Sequence, residues 1–216
     1  EGTLTYDFSA GDPFSSTSIL LNGGMTILRG TGSTAKSIPN VTLGTPAVSS
    51  SHFKLENGFA LTTTLLTGGA TTRSDLIDLS GHANNSLTVG ALSGPSLSNV
   101  NGMLMTGAAG QGRSSLVLRD KDGTYGFLAL SGGTSGTAQK VGPLTQRDPG
   151  TLTMNSNTDH YRLRNGNYTG SGNFNFSTIT MDASDGPINI DILSSEFKPT
   201  GQGKGILFSG DNNITI

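Results

Sequence analysis

Residues 114–130, SSLVLRDKDGTYGFLAL, constrain the fold more than any other stretch. An apolar run reaches Arg119, Asp120-Lys121-Asp122-Gly123 reverses it, and a second strand-like run follows at once. Glycine takes the positive φ that a tight reversal needs, and aspartate side chains accept hydrogen bonds from nearby backbone N–H groups, so the stretch reads as a β-hairpin. No segment reads as helix with comparable clarity. Glutamate, a good helix former, occurs only at positions 1, 56 and 196, while glycine occurs 32 times in 216 residues, well above the usual ~7%.

The rest of the chain repeats this texture. Leu4, Tyr6 and Phe8 alternate with polar residues in the first strand. Reversals follow at Asn22-Gly23-Gly24 and Glu56-Asn57-Gly58, and Ile188, Ile190 and Ile192 line one face of a late strand. Residues 131–142 read as a mobile loop. Short strands at spacings of ~8–12 residues predict an all-β fold, a two-sheet antiparallel β-sandwich (jelly roll) with residues 1–216 as one domain. In the last third, strand runs recur at intervals of roughly twenty residues with Gly-Asx corners. The alternative is therefore a sandwich over residues 1–150 followed by a β-solenoid-like C-terminal extension over 151–216.

Charge excludes several partners. Thirteen basic and fifteen acidic residues leave a net charge of −2, and without a Lys/Arg cluster there is no footprint for nucleic acid. No apolar run approaches the ~18 residues of a membrane-spanning helix. Strands apolar on one side and Ser/Thr-rich on the other do not match a membrane barrel either. With no cysteine, disulfides and thiolate metal sites are excluded. The N-x-S/T triplets at Asn40, Asn84, Asn167, Asn175 and Asn213 mark loops, and Glu1 reads as a processed or cut end.

Catalytic constellations are not apparent. Gly94-Pro95-Ser96-Leu97-Ser98 lacks the last glycine of a nucleophile elbow. Glu56 and Glu196 are the carboxylates a glycosidase would need to bring together, yet Glu56 sits in a turn. His52, His82 and His160 lack zinc-ligand spacing, and the DKDG turn lacks the distal glutamate of a calcium loop. No metal or cofactor is expected. Binding chemistry is concentrated in residues 160–168. His160, Tyr161 and Tyr168 offer aromatic faces, and Arg162 and Arg164 share the outer side of a strand if Leu163 points inward. Arginine pairs bidentately with carboxylates, so an acidic, for example sialylated, glycan is the ligand this mixture fits. The bland alternative is a solvated strand face. Arg73 with Asp75, at the start of a strand, forms a second candidate pair.

Tyr6-Asp7-Phe8 and the succession FALTTTLL, SDLIDLSG, SLTVGAL and SSLVLRDKDG resemble the strand order of concanavalin A-like and laminin G-like jelly-roll domains over residues 2–130. The chain departs from many sugar-binding members in having no tryptophan. The Gly/Ser/Thr/Asn texture and the ending GILFSGDNNITI are similar to bacteriophage tail-fibre and tailspike proteins and to lectin-type modules of phage-encoded glycan esterases. This resemblance implies a non-catalytic carbohydrate-binding or receptor-binding module, extracellular or on a virion surface, trimeric by analogy with tail fibres. A fragment of a glycan-degrading tailspike enzyme and a structural adhesin or fibre domain are the alternatives.

Overall fold

The computed structural model describes residues 2–14, 18–43, 50–68, 75–93, 97–100, 102–106, 114–131, 138–150, 152, 154, 156–193, 196–200 and 204–216. They gather into two compact units, Glu1–Leu144 and Thr145–Ile216.

In the first unit the chain alternates between two walls. The first coil is β1 (Thr3–Asp7) and β2 (Ile19–Leu21), and the second is β3 (Gly24–Arg29) and β4 (Thr34–Leu43). The third is β5 (Ser51–Glu56) and β6 (Phe59–Gly68), and the fourth β7 (Leu76–Asp78) and β8 (Ser86–Ser93). Odd-numbered strands stack in parallel as one wall: Thr3 lies opposite Met25, Met25 opposite His52, and His52 opposite Leu76. Even-numbered strands form the other, with Ile19 opposite Val41 and Val41 opposite Leu66. Each coil advances by 22 to 27 residues.

This is a β-solenoid, and it corrects the expectation of a two-sheet antiparallel sandwich or jelly roll. The expected reversals are corners. Asn57 and Gly58, at φ 54° and 73°, turn the chain from one wall to the other, so β5 pairs with β3 and β7 while β6 pairs with β4 and β8. Asn22-Gly23-Gly24 likewise separates β2 and β3, which lie in different walls. A strand with one face buried alternates in the same way whether its neighbours run parallel or antiparallel, so the pattern of apolar residues does not distinguish the two folds.

The interior is built from like residues stacked rung on rung. Phe53, Ile77 and Leu118 are fully buried and mutually aligned in the first wall. Each such side chain contributes ~1.5–3 kcal/mol of burial. In the second wall the inward positions shift from Ile38 to Val41 and from Thr63 to Leu66, so each strand bends. The stacked residues at the bend are Pro39, Thr64 and Gly90, and a Cβ on Gly90 would lie 2.8 Å from the Thr64 carbonyl oxygen. Only glycine fits there.

An excursion through β9 (Leu97–Val100), β10 (Met103–Thr106) and β11 (Ser114–Ser115) interrupts the winding. Then β12 (Val117–Arg119) rejoins the first wall in parallel with β7. The expected hairpin follows: β13 (Tyr125–Ser131) pairs antiparallel with β12, and the Thr124 N–H donates to Asp122 Oδ1 at 2.9 Å. Finally β14 (Gln139–Pro143) links β13 to β8, joining the two walls with part of the stretch read as a loop.

The second unit is a three-sided solenoid. Its strands are β15 (His160–Leu163), β16 (Gly166–Thr169), β17 (Phe174–Phe176), β18 (Thr178–Asp182), β19 (Ile188–Asp191), β20 (Phe197–Pro199), β21 (Gly205–Ser209) and β22 (Ile214–Thr215). They stack in parallel as β15-β18-β21, β16-β19-β22 and β17-β20, at steps of 18 to 27 residues. Tyr161 meets Ile179 and Leu163 meets Met181 inside, with the Phe176 and Phe197 rings 4.9 Å apart.

Candidate site on the first wall

Parallel stacking brings side chains one coil apart into lateral rows with a rung spacing of ~4.8 Å. The outer face of the first wall carries such rows of charge. Arg29 pairs with Asp7 at 3.7 Å and with Glu56 at 2.6 Å, and Lys54 reaches Glu56 at 2.9 Å. Beside them Asp78, with a side chain only 2% exposed, takes His52 Nε2 at 3.2 Å and Arg119 at 3.7 Å. Arg119 in turn lies 5.3 Å from the centre of the Tyr125 ring. Burial pushes the Asp78 carboxyl up, but hydrogen bonds from His52 and from Ser80, with Arg119 nearby, outweigh it and hold the group well below the usual carboxylate range.

A cavity of about 350 Å³ opens at the N-terminal edge of this wall. Gly2, Thr3, Gly24, Met25, Ser50, Ser51, His52 and Leu76 line it. Backbone and side chain both fix the floor. The Ser51 N–H donates to Asp75 Oδ1 at 2.7 Å, and Ser51 Oγ accepts from the Gly23 N–H at 3.0 Å. Asp75 is buried, its Oδ2 has no hydrogen-bond partner among the described residues, and burial raises its carboxyl above the ordinary range. The His52 ring is held at Nε2 by Asp78. Hydroxyl-bearing residues and a histidine thus share the lining with Met25 and Leu76. That mixture suits a ligand with both hydroxyl and C–H faces.

The residues singled out from sequence are dispersed. Arg73 lies outside the described residues, and Asp75 sits beneath Ser51 as just described. In the second unit, Tyr161 points inward and its hydroxyl donates to Asp159 Oδ2 at 3.3 Å. His160 is buried with Nδ1 2.8 Å from Thr178 Oγ1. Arg162 does face outward opposite Leu163, but its Nη1 donates to Asp182 Oδ2 at 2.7 Å and its Nε to Gln146 Oε1 at 3.2 Å. Arg164 falls beyond the end of β15 and is exposed, and the Tyr168 hydroxyl bonds to its backbone, donating to the carbonyl at 2.8 Å. These groups hold one another rather than an open pocket.

Glu56 is engaged by Arg29 and Lys54, and Glu196 is exposed beside Lys198 at 3.6 Å. Among the described residues no group of three or more His, Asp or Glu side chains is placed to hold a metal ion. The pairing that sequence reasoning missed is His52 with Asp78. Its signal is a separation of 26 residues, close to one coil, legible only once the strands are known to stack in parallel. Comparison with protein-family models, with curated proteins and with solved structures gives no match.

Proposed function

We propose that the chain is a non-catalytic glycan-binding module of extracellular, adhesin-like type, with the cavity beside His52 as its binding site. The observation that carries this reading is the cavity itself. At about 350 Å³ it falls in the range of small-ligand sites, and hydroxyl, imidazole and apolar groups share its lining. A saccharide has the matching duality of hydroxyl edges and C–H faces. The solenoid supports the reading mechanically, because the lining strands β3, β5 and β7 are each paired on both sides and β1 is paired with β3, so little ordering is needed on binding.

The test is a glycan array probed with the full chain, followed by calorimetric titration of any hit. Saturable binding that is lost in Met25→Asp, with the far-ultraviolet β signal unchanged, is the expected result. Product release from a bound oligosaccharide overturns the non-catalytic reading. An array with no bound glycan leaves a structural fibre role.

A further inference from the structure

We infer that His52 Nδ1 is the specificity-determining acceptor of this cavity and that the ligand it selects is a neutral, hydroxyl-donating sugar rather than a carboxylate-bearing one. The inference rests on the glycan-binding reading above and names the class of glycan. Asp78 sets the tautomer of the His52 ring. Asp78 accepts at Oδ2 from His52 Nε2 at 3.2 Å, and the carboxylate is itself fixed by the Ser80 N–H at 2.9 Å and by Arg119 at 3.7 Å. A carboxylate only accepts, so the proton of a neutral His52 ring sits on Nε2 and Nδ1 carries the lone pair. The depressed Asp78 carboxyl keeps that assignment in place through neutral pH.

His52 lines the cavity, and among the described residues no hydrogen bond reaches its Nδ1, so that lone pair is available to a ligand. A sugar hydroxyl supplies the missing donor. A ligand carboxylate presents lone pairs to a lone pair, with the Asp78 charge behind it, and is disfavoured there. The ring also cannot turn to offer an N–H instead without giving up its bond to Asp78. Met25 and Leu76 complete the fit by taking the C–H face of the same sugar.

The experiment uses the full chain at pH 8 on an array in which neutral oligosaccharides stand beside their sialylated and uronic-acid counterparts. Neutral members are expected to bind, with acidic counterparts weaker. His52→Leu should weaken the best neutral hit about tenfold or more, the loss of one buried hydrogen bond with its partner left unpaired. His52→Asn, whose side-chain carbonyl replaces Nδ1 as acceptor, should stay within about threefold of the unchanged protein by the same measure. Melting temperature is recorded for both to confirm folding. Preference for the acidic members, or equal binding by His52→Leu, overturns the inference while leaving glycan binding intact. No binding to any member removes the glycan reading and the inference with it.

Discussion

Asn85 reaches back one coil to Gly58: its Oδ1 accepts the Gly58 N–H at 2.9 Å, and the Phe59 N–H at 3.1 Å. Its Nδ2 donates to the Leu79 and Ser80 carbonyls, both at 3.1 Å. One buried side chain thus satisfies four backbone groups at a corner where the ladder cannot. Asn85→Ala is expected to cost about 3 kcal/mol, because the stranded groups lose their partners without regaining water. Urea denaturation measures it. A loss below about 1 kcal/mol, an ordinary surface value, would show that the corner repairs itself.

The same corner makes a prediction about glycine. A Cβ on Gly58 would lie 2.0 Å from the Gly32 carbonyl oxygen, at a φ of 73°. Gly81 has a similar φ of 89° but nothing within 4 Å of such a Cβ. Gly81→Ala should therefore show only the left-handed strain of ~1 kcal/mol. Gly58→Ala adds a backbone collision and should lose about 3 kcal/mol or fail to fold. Equal melting temperatures for the two variants would remove close coil-to-coil approach as the reason for glycine at position 58.

Asp75 and Asp78 act on stability in opposite directions. Asp78 is depressed in the folded protein, so its contribution is present above the unfolded carboxylate value near ~3.9 and is lost as pH falls toward the folded value. Asp75 is raised, so the folded protein is favoured below the unfolded value and penalised as pH climbs through the folded one. Asp75→Asn keeps the acceptor for Ser51 and removes the buried charge. It is expected to raise the melting temperature at pH 7 and to change it little at pH 3. A lower melting temperature at pH 7 would show that the ionised carboxylate is worth keeping there.

In the second unit, Arg162 and Asp182 form an ion pair whose side chains are 14% and 8% exposed. Asp182 also accepts from the Ser184 hydroxyl at 2.7 Å. Arg162→Ala would leave a mostly buried carboxylate without its cation and should cost about 3 kcal/mol. Arg164, exposed beyond the strand end, should tolerate alanine within about 0.5 kcal/mol. Guanidinium denaturation of the two variants separates them, and equal values would mean that the Arg162 pair does not stabilise the fold.

The sequence alone determined the all-β class, the positions of many strands, the hairpin around residues 120–123 and the twenty-residue recurrence of the last third. All but the recurrence are local: alternation, turn chemistry and the shortage of helix formers act within a few residues. Whether a turn folds a strand back on its neighbour or carries it around a corner was decided only by tertiary structure. The choice depends on which strand, some 22 to 27 residues away, supplies the hydrogen-bond partner. Unequal coils and the excursion through β9, β10 and β11 hide that period in the first unit. The site followed the same rule. His52 and Asp78 show nothing in common along the chain and meet because parallel strands of the first wall set them diagonally across from one another, Asp78 lying opposite Lys54. Arg162, which promised a binding face, instead found Asp182 on the next rung, a partner that the alternation within its own strand could not reveal.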